Sequence, residues 1–341
     1  MKRTAPLMTK LSVVLLGLLP GVLWMPVPTF GADEKTTSAT QPATKGQRVY
    51  TCGHSFHVFV PRLLEEVAKS AGIADHQTVG LSSIGGSRVI QHWDLADDKF
   101  GSKKALTDGK VDVLTLSPIW LPDEGIDNFA KLGVEHNPNI RIFVQEFWMP
   151  NDEYVPVYPL QAGKGIDHNA TDVAKLKEAN DKYSHDVEEY VAKVNKALGK
   201  EAVFVVPVGE AADKLREKLV AGQAPGLKMQ WDLFRDSWGH PEAPLQILDA
   251  YCYFAAIYHR SPVGLPMPNA LAAFKTVGLE GREKVRPRAK GTSATPAVLP
   301  ATPIPAGHEI STEDKEKLNR MLQEIAWETV SHHPMTGVQA Q

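Results

Sequence analysis

The chain has 341 residues, 43% of them hydrophobic, and a formal net charge of -3 at pH 7. Its acidic and basic residues are mixed along the sequence, so it lacks the basic stripe that binds a phosphate backbone. Nucleic acid is therefore excluded as an expected partner. A chain of this length can build one large domain with a substantial core.

The N-terminal segment has the pattern of a secretory signal peptide. Lys2 and Arg3 precede an apolar run over residues 11–24, and small residues follow it. The run is too short to cross a bilayer core of about 30 Å. We expect residues 1–31 to be the signal peptide and residues 32–46 a disordered leader. The mature protein is then periplasmic or secreted, with no membrane contact after cleavage.

The segment 47–285 alternates between apolar strands and amphipathic helices. This alternation predicts an α/β fold of three layers, with a mostly parallel central sheet between two helical layers. Binding sites in such folds lie beyond the carboxyl ends of the strands. The predicted strands are 47–52, 77–84, 111–116, 141–147 and 202–208, and the predicted helices are 60–71, 173–198, 211–219 and 244–258.

The chain changes character after this domain. Residues 286–305 are rich in Pro, Ala and Thr without periodicity, which is typical of a linker. Residues 306–333 then contain a capping box that starts at Ser311, followed by apolar residues at helical spacing. We expect a C-terminal helix there. Its apolar face docks either on the parent domain or on a second subunit, so an oligomer through this helix stays open.

Cys52 and Cys252 are the only cysteines in the chain. An oxidising compartment would allow them to form a disulfide. Both lie among apolar residues, and buried free thiols that behave as small hydrophobes are the alternative.

Ser55 follows the first predicted strand in a tight Gly-X-Ser turn that leads into a helix. The positive end of a helix dipole and free backbone N–H groups favour developing negative charge at such a position. Ser55 is therefore a candidate nucleophile. A serine in this place can also simply cap the helix.

A base for Ser55 is offered by the loop that contains Asp236 and His240. An acid that precedes a histidine in one loop can fix the imidazole tautomer and stabilise the imidazolium. Asp232 is the nearest alternative acid. We expect Ser55, His240 and Asp236 to form a catalytic triad.

With these blocks in order, the sequence resembles the SGNH, or GDSL-like, hydrolase superfamily. The resemblance is carried by residues 49–55 (VYTCGHS), 83–87 (SIGGS) and 236–240 (DSWGH), and it spans roughly 47–262. It implies a flavodoxin-like architecture and ester hydrolysis. Ser55 would attack, His240 would move the proton and Asp236 would orient His240. Backbone N–H groups of Ser55 and Gly86 would hold the oxyanion, without a metal or an organic cofactor.

The sequence departs from the family pattern in two places. The spacing from Asp236 to His240 is one residue longer than Asp-X-X-His, and no asparagine follows the third predicted strand. Ser117 or Gln145 could replace that missing oxyanion donor. The dipeptide at 151–152 has the expected letters, Asn-Asp, but it follows the fourth predicted strand.

Several tryptophans fall in loops after strands or in the loop of the expected triad. Trp120, Trp148 and Trp238, with Trp93 nearby, could stack on sugar rings, and packing in the core is the alternative.

These observations give three hypotheses. The first is an exported serine esterase that removes an acyl group from a carbohydrate or small-molecule ester. The second is a weak or inactive glycan-binding protein on the same fold, and the third is a cell-envelope interaction protein.

Overall fold

The computed structural model describes residues 45–96, 99–156, 166–278 and 307–338. Within these ranges the backbone forms one five-stranded sheet in the order β2-β1-β3-β4-β5. Every neighbouring pair of strands is parallel. The strands are β1 (Arg48–Gly53), β2 (Gln77–Ser83), β3 (Val113–Leu116), β4 (Arg141–Glu146) and β5 (Val203–Pro207).

Helices connect the strands and cover both faces of the sheet. All four residues of β3 are buried although successive side chains point to opposite faces, so both faces are covered. The predicted α/β fold with a parallel sheet is thereby confirmed. The helices are α1 (Val60–Ser70), α2 (Val89–Trp93), α3 (Ser102–Thr107), α4 (Glu124–His136), α5 (Val173–Leu198), α6 (Val208–Val220), α7 (Ala243–Tyr258), α8 (Asn269–Ala272) and α9 (Thr312–His332).

The helix α4 was not among the predicted elements. The Asp123 side chain caps it by accepting a hydrogen bond from the Gly125 N–H. Its buried residues include Ile126, Phe129 and Ala130 at helical spacing. A cap followed by apolar residues at this spacing is the local signal that identifies such a helix.

The C-terminal helix α9 packs on α7 of the same chain. Leu318, Leu322 and Ile325 are buried on its apolar face, and the Tyr251 hydroxyl donates a hydrogen bond to Asn319 Oδ1 (2.7 Å). The parent domain therefore covers this face. The segments predicted as signal peptide (1–31) and linker (286–305), and most of the predicted leader (32–46), lie outside the described residues.

No helix among the described residues combines the length and apolar character needed to cross a membrane. Cys52 and Cys252 are both buried free thiols. Burial raises the pKa of each thiol above its usual range, which keeps both protonated and unreactive.

Candidate active site

A sharp turn presents Ser55 at the carboxyl end of the sheet. β1 ends at Gly53, and the His54 carbonyl accepts hydrogen bonds from the N–H groups of His57 (2.9 Å) and Val58 (3.1 Å). A Cβ atom on Gly53 would lie 2.7 Å from the His57 ring, so only glycine permits this close approach. The turn leaves Ser55 half-buried ahead of α1.

Ser55, His240 and Asp236 are joined by hydrogen bonds. Ser55 Oγ lies 2.7 Å from His240 Nε2, across 185 residues of sequence. His240 Nδ1 lies 2.8 Å from Asp236 Oδ2 and 3.0 Å from Oδ1. A carboxylate only accepts, so Nδ1 carries the proton and Nε2 is free to accept from the serine hydroxyl.

The loop from Asp236 to His240 closes on itself and absorbs its additional residue. The Gly239 N–H donates to the Asp236 carbonyl (3.0 Å), and the Arg235 N–H donates to the His240 carbonyl (2.7 Å). Gly239 has a φ of 86°, in the left-handed region that favours glycine. Asp236 Oδ1 also accepts from the Trp238 N–H (3.1 Å). The longer spacing therefore still brings the carboxylate to the imidazole.

The electrostatic environment keeps Asp236 ionised. Burial on its own raises the pKa of this carboxyl, but the hydrogen bond and the charge of His240 outweigh burial, so the pKa is lowered. A carboxylate that stays charged can stabilise the imidazolium that forms when His240 accepts a proton.

Trp148 packs against the triad loop, residues 236–240. Its ring stacks on Phe56 with centroids 5.0 Å apart and planes 11° apart, and its Nε1–H donates to the Gly239 carbonyl (2.9 Å). Phe56 in turn meets the His240 ring edge-on at 5.2 Å. Trp148 is only 1% exposed. The expectation that it stacks on substrate is therefore wrong, because the sheet and the triad loop enclose it.

The other tryptophans remain partly accessible. Trp238, two residues before His240, and Trp120, after β3, are both half-buried. Trp93 is also half-buried, but its ring is engaged edge-to-face with Phe129 at 5.1 Å. Trp238 and Trp120 are thus half-buried residues near the carboxyl ends of the strands, and Trp120 also packs against the core.

The two side chains expected to replace the missing oxyanion donor are occupied elsewhere. Ser117 Oγ is hydrogen-bonded to His54 Nε2 (3.1 Å), and the Gln145 amide donates to the Phe56 carbonyl (3.1 Å). Both side chains are buried. They brace the segment that carries Ser55.

Gly86 lies in an exposed turn after β2. Its φ of 62° is left-handed, and the Ile84 N–H donates to the Gly53 carbonyl (3.2 Å). This bond ties the start of the Gly86 turn to the end of β1, next to Ser55.

A buried histidine clamps the Gly86 turn. His92 Nδ1 is hydrogen-bonded to Ser82 Oγ and Nε2 to Ser87 Oγ, each at 2.7 Å. Burial lowers the pKa of His92 to about 4. The neutral ring donates to one hydroxyl and accepts from the other, so it fixes both ends of the turn at once.

Asn151 is a residue beside the triad that sequence reasoning set aside. Its N–H donates to the Trp238 carbonyl (3.0 Å), and its φ of 56° is left-handed. The side-chain amide is buried and has no hydrogen-bond partner among the described residues. Strained backbone and an unpartnered polar group are typical of functional sites. The signal was present in the letters Asn-Asp at 151–152.

The neighbouring Asp152 anchors this strained turn. Its carboxylate receives two bonds from the buried Arg216 guanidinium (2.7 and 2.9 Å) and lies 2.7 Å from His168 Nδ1. Burial opposes its charge, but His168 and Arg216 hold the pKa of Asp152 well below its usual range. The ion pair fixes Asp152, the residue that follows Asn151 in this turn.

No family model matches the sequence, and no curated protein matches it either. Solved structures similar to this chain include a DUF4886 family protein from Bacteroides uniformis, with 17% identity and a TM-score of 0.43, covering 67% of this chain and 89% of that chain. A carbohydrate esterase family 3 protein from Talaromyces cellulolyticus has 15% identity and a TM-score of 0.36, covering 62% and 97%. The Clostridium thermocellum family 3 carbohydrate esterase has 15% identity and a TM-score of 0.31, covering 50% and 80%.

Proposed function

We propose that this protein is a serine esterase that uses Ser55, His240 and Asp236 as its catalytic triad. The observation that carries this proposal is the continuous hydrogen-bonded chain from Ser55 Oγ through both nitrogens of His240 to the Asp236 carboxylate. A serine that only capped a helix would not need an imidazole and an oriented acid behind it.

In this mechanism His240 Nε2 accepts the hydroxyl proton while Ser55 Oγ attacks the ester carbonyl carbon. The carbonyl oxygen becomes an oxyanion, and the Asp236 carboxylate stabilises the imidazolium. Collapse of the intermediate breaks the bond to the alcohol, which takes the proton from Nε2. Water then repeats the sequence on the acyl-enzyme and releases the acid.

The oxyanion needs preorganised donors. We assign this role to the backbone N–H groups of Ser55 and Gly86 and to the Asn151 side-chain amide. Asn151 takes this role because its amide has no partner among the described residues, whereas the Gln145 amide donates to the Phe56 carbonyl and Ser117 Oγ is bonded to His54. The His92 clamp positions the Gly86 turn for this purpose.

We further propose that the substrate is an acyl ester on a carbohydrate and that the protein acts after export. The N-terminal pattern of residues 1–31 supports export. The half-buried Trp238, two residues before His240, supports a sugar platform, because flat apolar rings with a polar edge suit sugar faces.

Hydrolysis of p-nitrophenyl acetate tests the reaction. Wild type should turn it over, Ser55→Ala should lose turnover, and Ser70→Ala, an exposed serine on α1, should match wild type. Equal rates for wild type and Ser55→Ala would refute the catalytic assignment. Glycan binding without turnover by wild type would favour the binding-protein hypothesis.

A comparison of two substrates tests the sugar platform. Trp238→Ala should raise KM for an acetylated oligosaccharide by about tenfold and leave KM for p-nitrophenyl acetate nearly unchanged, because only the sugar reaches the ring. An equal change in the KM values for the two substrates would show that Trp238 shapes the loop 236–240 and does not bind the sugar.

A further inference from the structure

A cluster of potential metal ligands that includes no triad residue lies where β4, α5 and the end of α9 meet. Glu146 is the last residue of β4, Glu188 is in the middle of α5, and His333 directly follows α9. His333 Nε2 lies 2.8 Å from Glu188 Oε1 and 3.7 Å from Glu146 Oε1. One ligand atom from each residue lies within 4.8 Å of the other two.

The surroundings of Glu146 indicate that this cluster lacks a positively charged partner. Its side chain is 1% exposed, and neither carboxyl oxygen meets the geometry of a hydrogen bond among the described residues. Burial raises the pKa of Glu146 well above its usual range, and the Ser184 hydroxyl, which favours the charged carboxylate, does not offset burial. Neither Glu146 nor Glu188 pairs with a lysine or arginine in that part of the chain; the ion-pair partners of Glu188 are histidines. A buried carboxyl without a partner is costly, and coordination of a cation removes that cost.

We propose that Glu146, Glu188 and His333 form a binding site for one Zn²⁺ ion. Two carboxylate oxygens and one imidazole nitrogen are zinc ligands, and three protein ligands leave a fourth position for water. Ligand bonds of about 2.0–2.2 Å in a tetrahedron place ligand atoms about 3.4 Å apart. The distances from His333 Nε2 to Glu188 Oε1 and Glu146 Oε1, 2.8 and 3.7 Å, bracket this value.

The ligand set also discriminates between cations. Ca²⁺ needs six to eight oxygen ligands, and Mg²⁺ keeps most of its water. The cluster offers few oxygens and one imidazole, which suits zinc and its transition-metal neighbours.

Coordination has a structural consequence at His333. The Met335 N–H now donates to Nδ1 (3.2 Å), so Nε2 carries the proton and donates to Glu188. Zinc needs the Nε2 lone pair, which moves the proton to Nδ1. The Met335 N–H must then turn away, and the Met335 amide resonance should shift when zinc is added.

Isothermal titration of the full chain with ZnCl₂, together with metal analysis after dialysis, tests the site. Wild type should bind one Zn²⁺ per chain, and the thermal midpoint should rise with zinc concentration because only the folded state binds. Glu146→Gln and His333→Gln should each weaken binding by at least about tenfold. A cooperative thermal transition of each variant without zinc will show that the variant folds.

His185→Gln is the matched control. His185 is an exposed histidine 3.9 Å from Glu188 Oε2 and 3.4 Å from Glu189 Oε1, so it offers zinc a surface alternative on the same helix. Its loss should leave affinity unchanged, and Ser55→Ala should bind zinc like wild type, which separates this site from esterase activity. No binding by wild type, unchanged affinity in Glu146→Gln, or lost affinity in His185→Gln would each overturn the proposal.

Discussion

Replacement of Asp236 by asparagine changes the donor pattern of the triad without changing its shape. Asp236 Oδ1 accepts from the N–H groups of Trp238 (3.1 Å) and His240 (3.3 Å), and asparagine can keep both bonds through its Oδ1. Its NH₂ group then occupies the Oδ2 position, 2.8 Å from His240 Nδ1. Because NH₂ donates and lies closer to Nδ1 than Oδ1 does (2.8 against 3.0 Å), we expect Nδ1 to accept and the ring proton to move to Nε2. There it faces Ser55 Oγ and prevents proton transfer.

A wrong tautomer of this kind costs about 10⁴-fold in kcat. At about 1.36 kcal/mol per factor of ten, the loss corresponds to about 5.5 kcal/mol of transition-state stabilisation. KM should change little, because the backbone of the loop keeps its hydrogen bonds.

The assay is the initial rate of p-nitrophenyl acetate hydrolysis over a range of substrate concentrations and pH. Asp232→Asn is the control, because Asp232 Oδ2 accepts from the backbone N–H groups of Lys228 (2.8 Å) and Met229 (3.1 Å), and the asparagine oxygen can still accept both. It should retain kcat. Wild-type kcat in Asp236→Asn would refute the triad. An equal loss of kcat in Asp232→Asn would mean that the conformation of the loop, and not the Asp236 carboxylate, controls activity.

Three further variants probe the surroundings of the triad. Asn151→Ala should lower kcat by about 10²–10³ with little change in KM if its amide stabilises the oxyanion; a change confined to KM would refute this role. Trp148→Phe keeps the stack but loses the bond to the Gly239 carbonyl, so kcat should fall about tenfold, and an unchanged kcat would show that this bond does not position His240. The pKa of His92 falls from 6.5 to about 4 on burial, so the unfolded state binds the proton first and the free energy of unfolding should decrease as pH falls from 6.5 through 4. Urea unfolding of His92→Gln should show a shallower decrease, and an identical slope would contradict this linkage.

The order and type of most elements could be predicted from local patterns in the sequence. Continuous apolar runs gave the buried strands, and the three- to four-residue spacing on α5 gave its buried face, because burial on one or both faces leaves a period in the chain. The Gly-X-Ser turn was also a local signal, since Gly53 must admit the His57 ring. These features depend on residues that are close in sequence.

Contacts between residues that are far apart in sequence became visible only in the folded chain. Trp148 and Trp238 look equivalent in sequence, yet one is enclosed between Phe56 and the triad loop and the other keeps accessible surface. Gln145 ends up donating to the Phe56 carbonyl, while the Asn151 amide is left without a partner among the described residues. Local periodicity predicts that a side chain is buried, but it does not predict which residue that side chain contacts. The sequence therefore nominated Ser55 and His240, and only the packing of the parallel sheet brought atoms 185 residues apart to 2.7 Å.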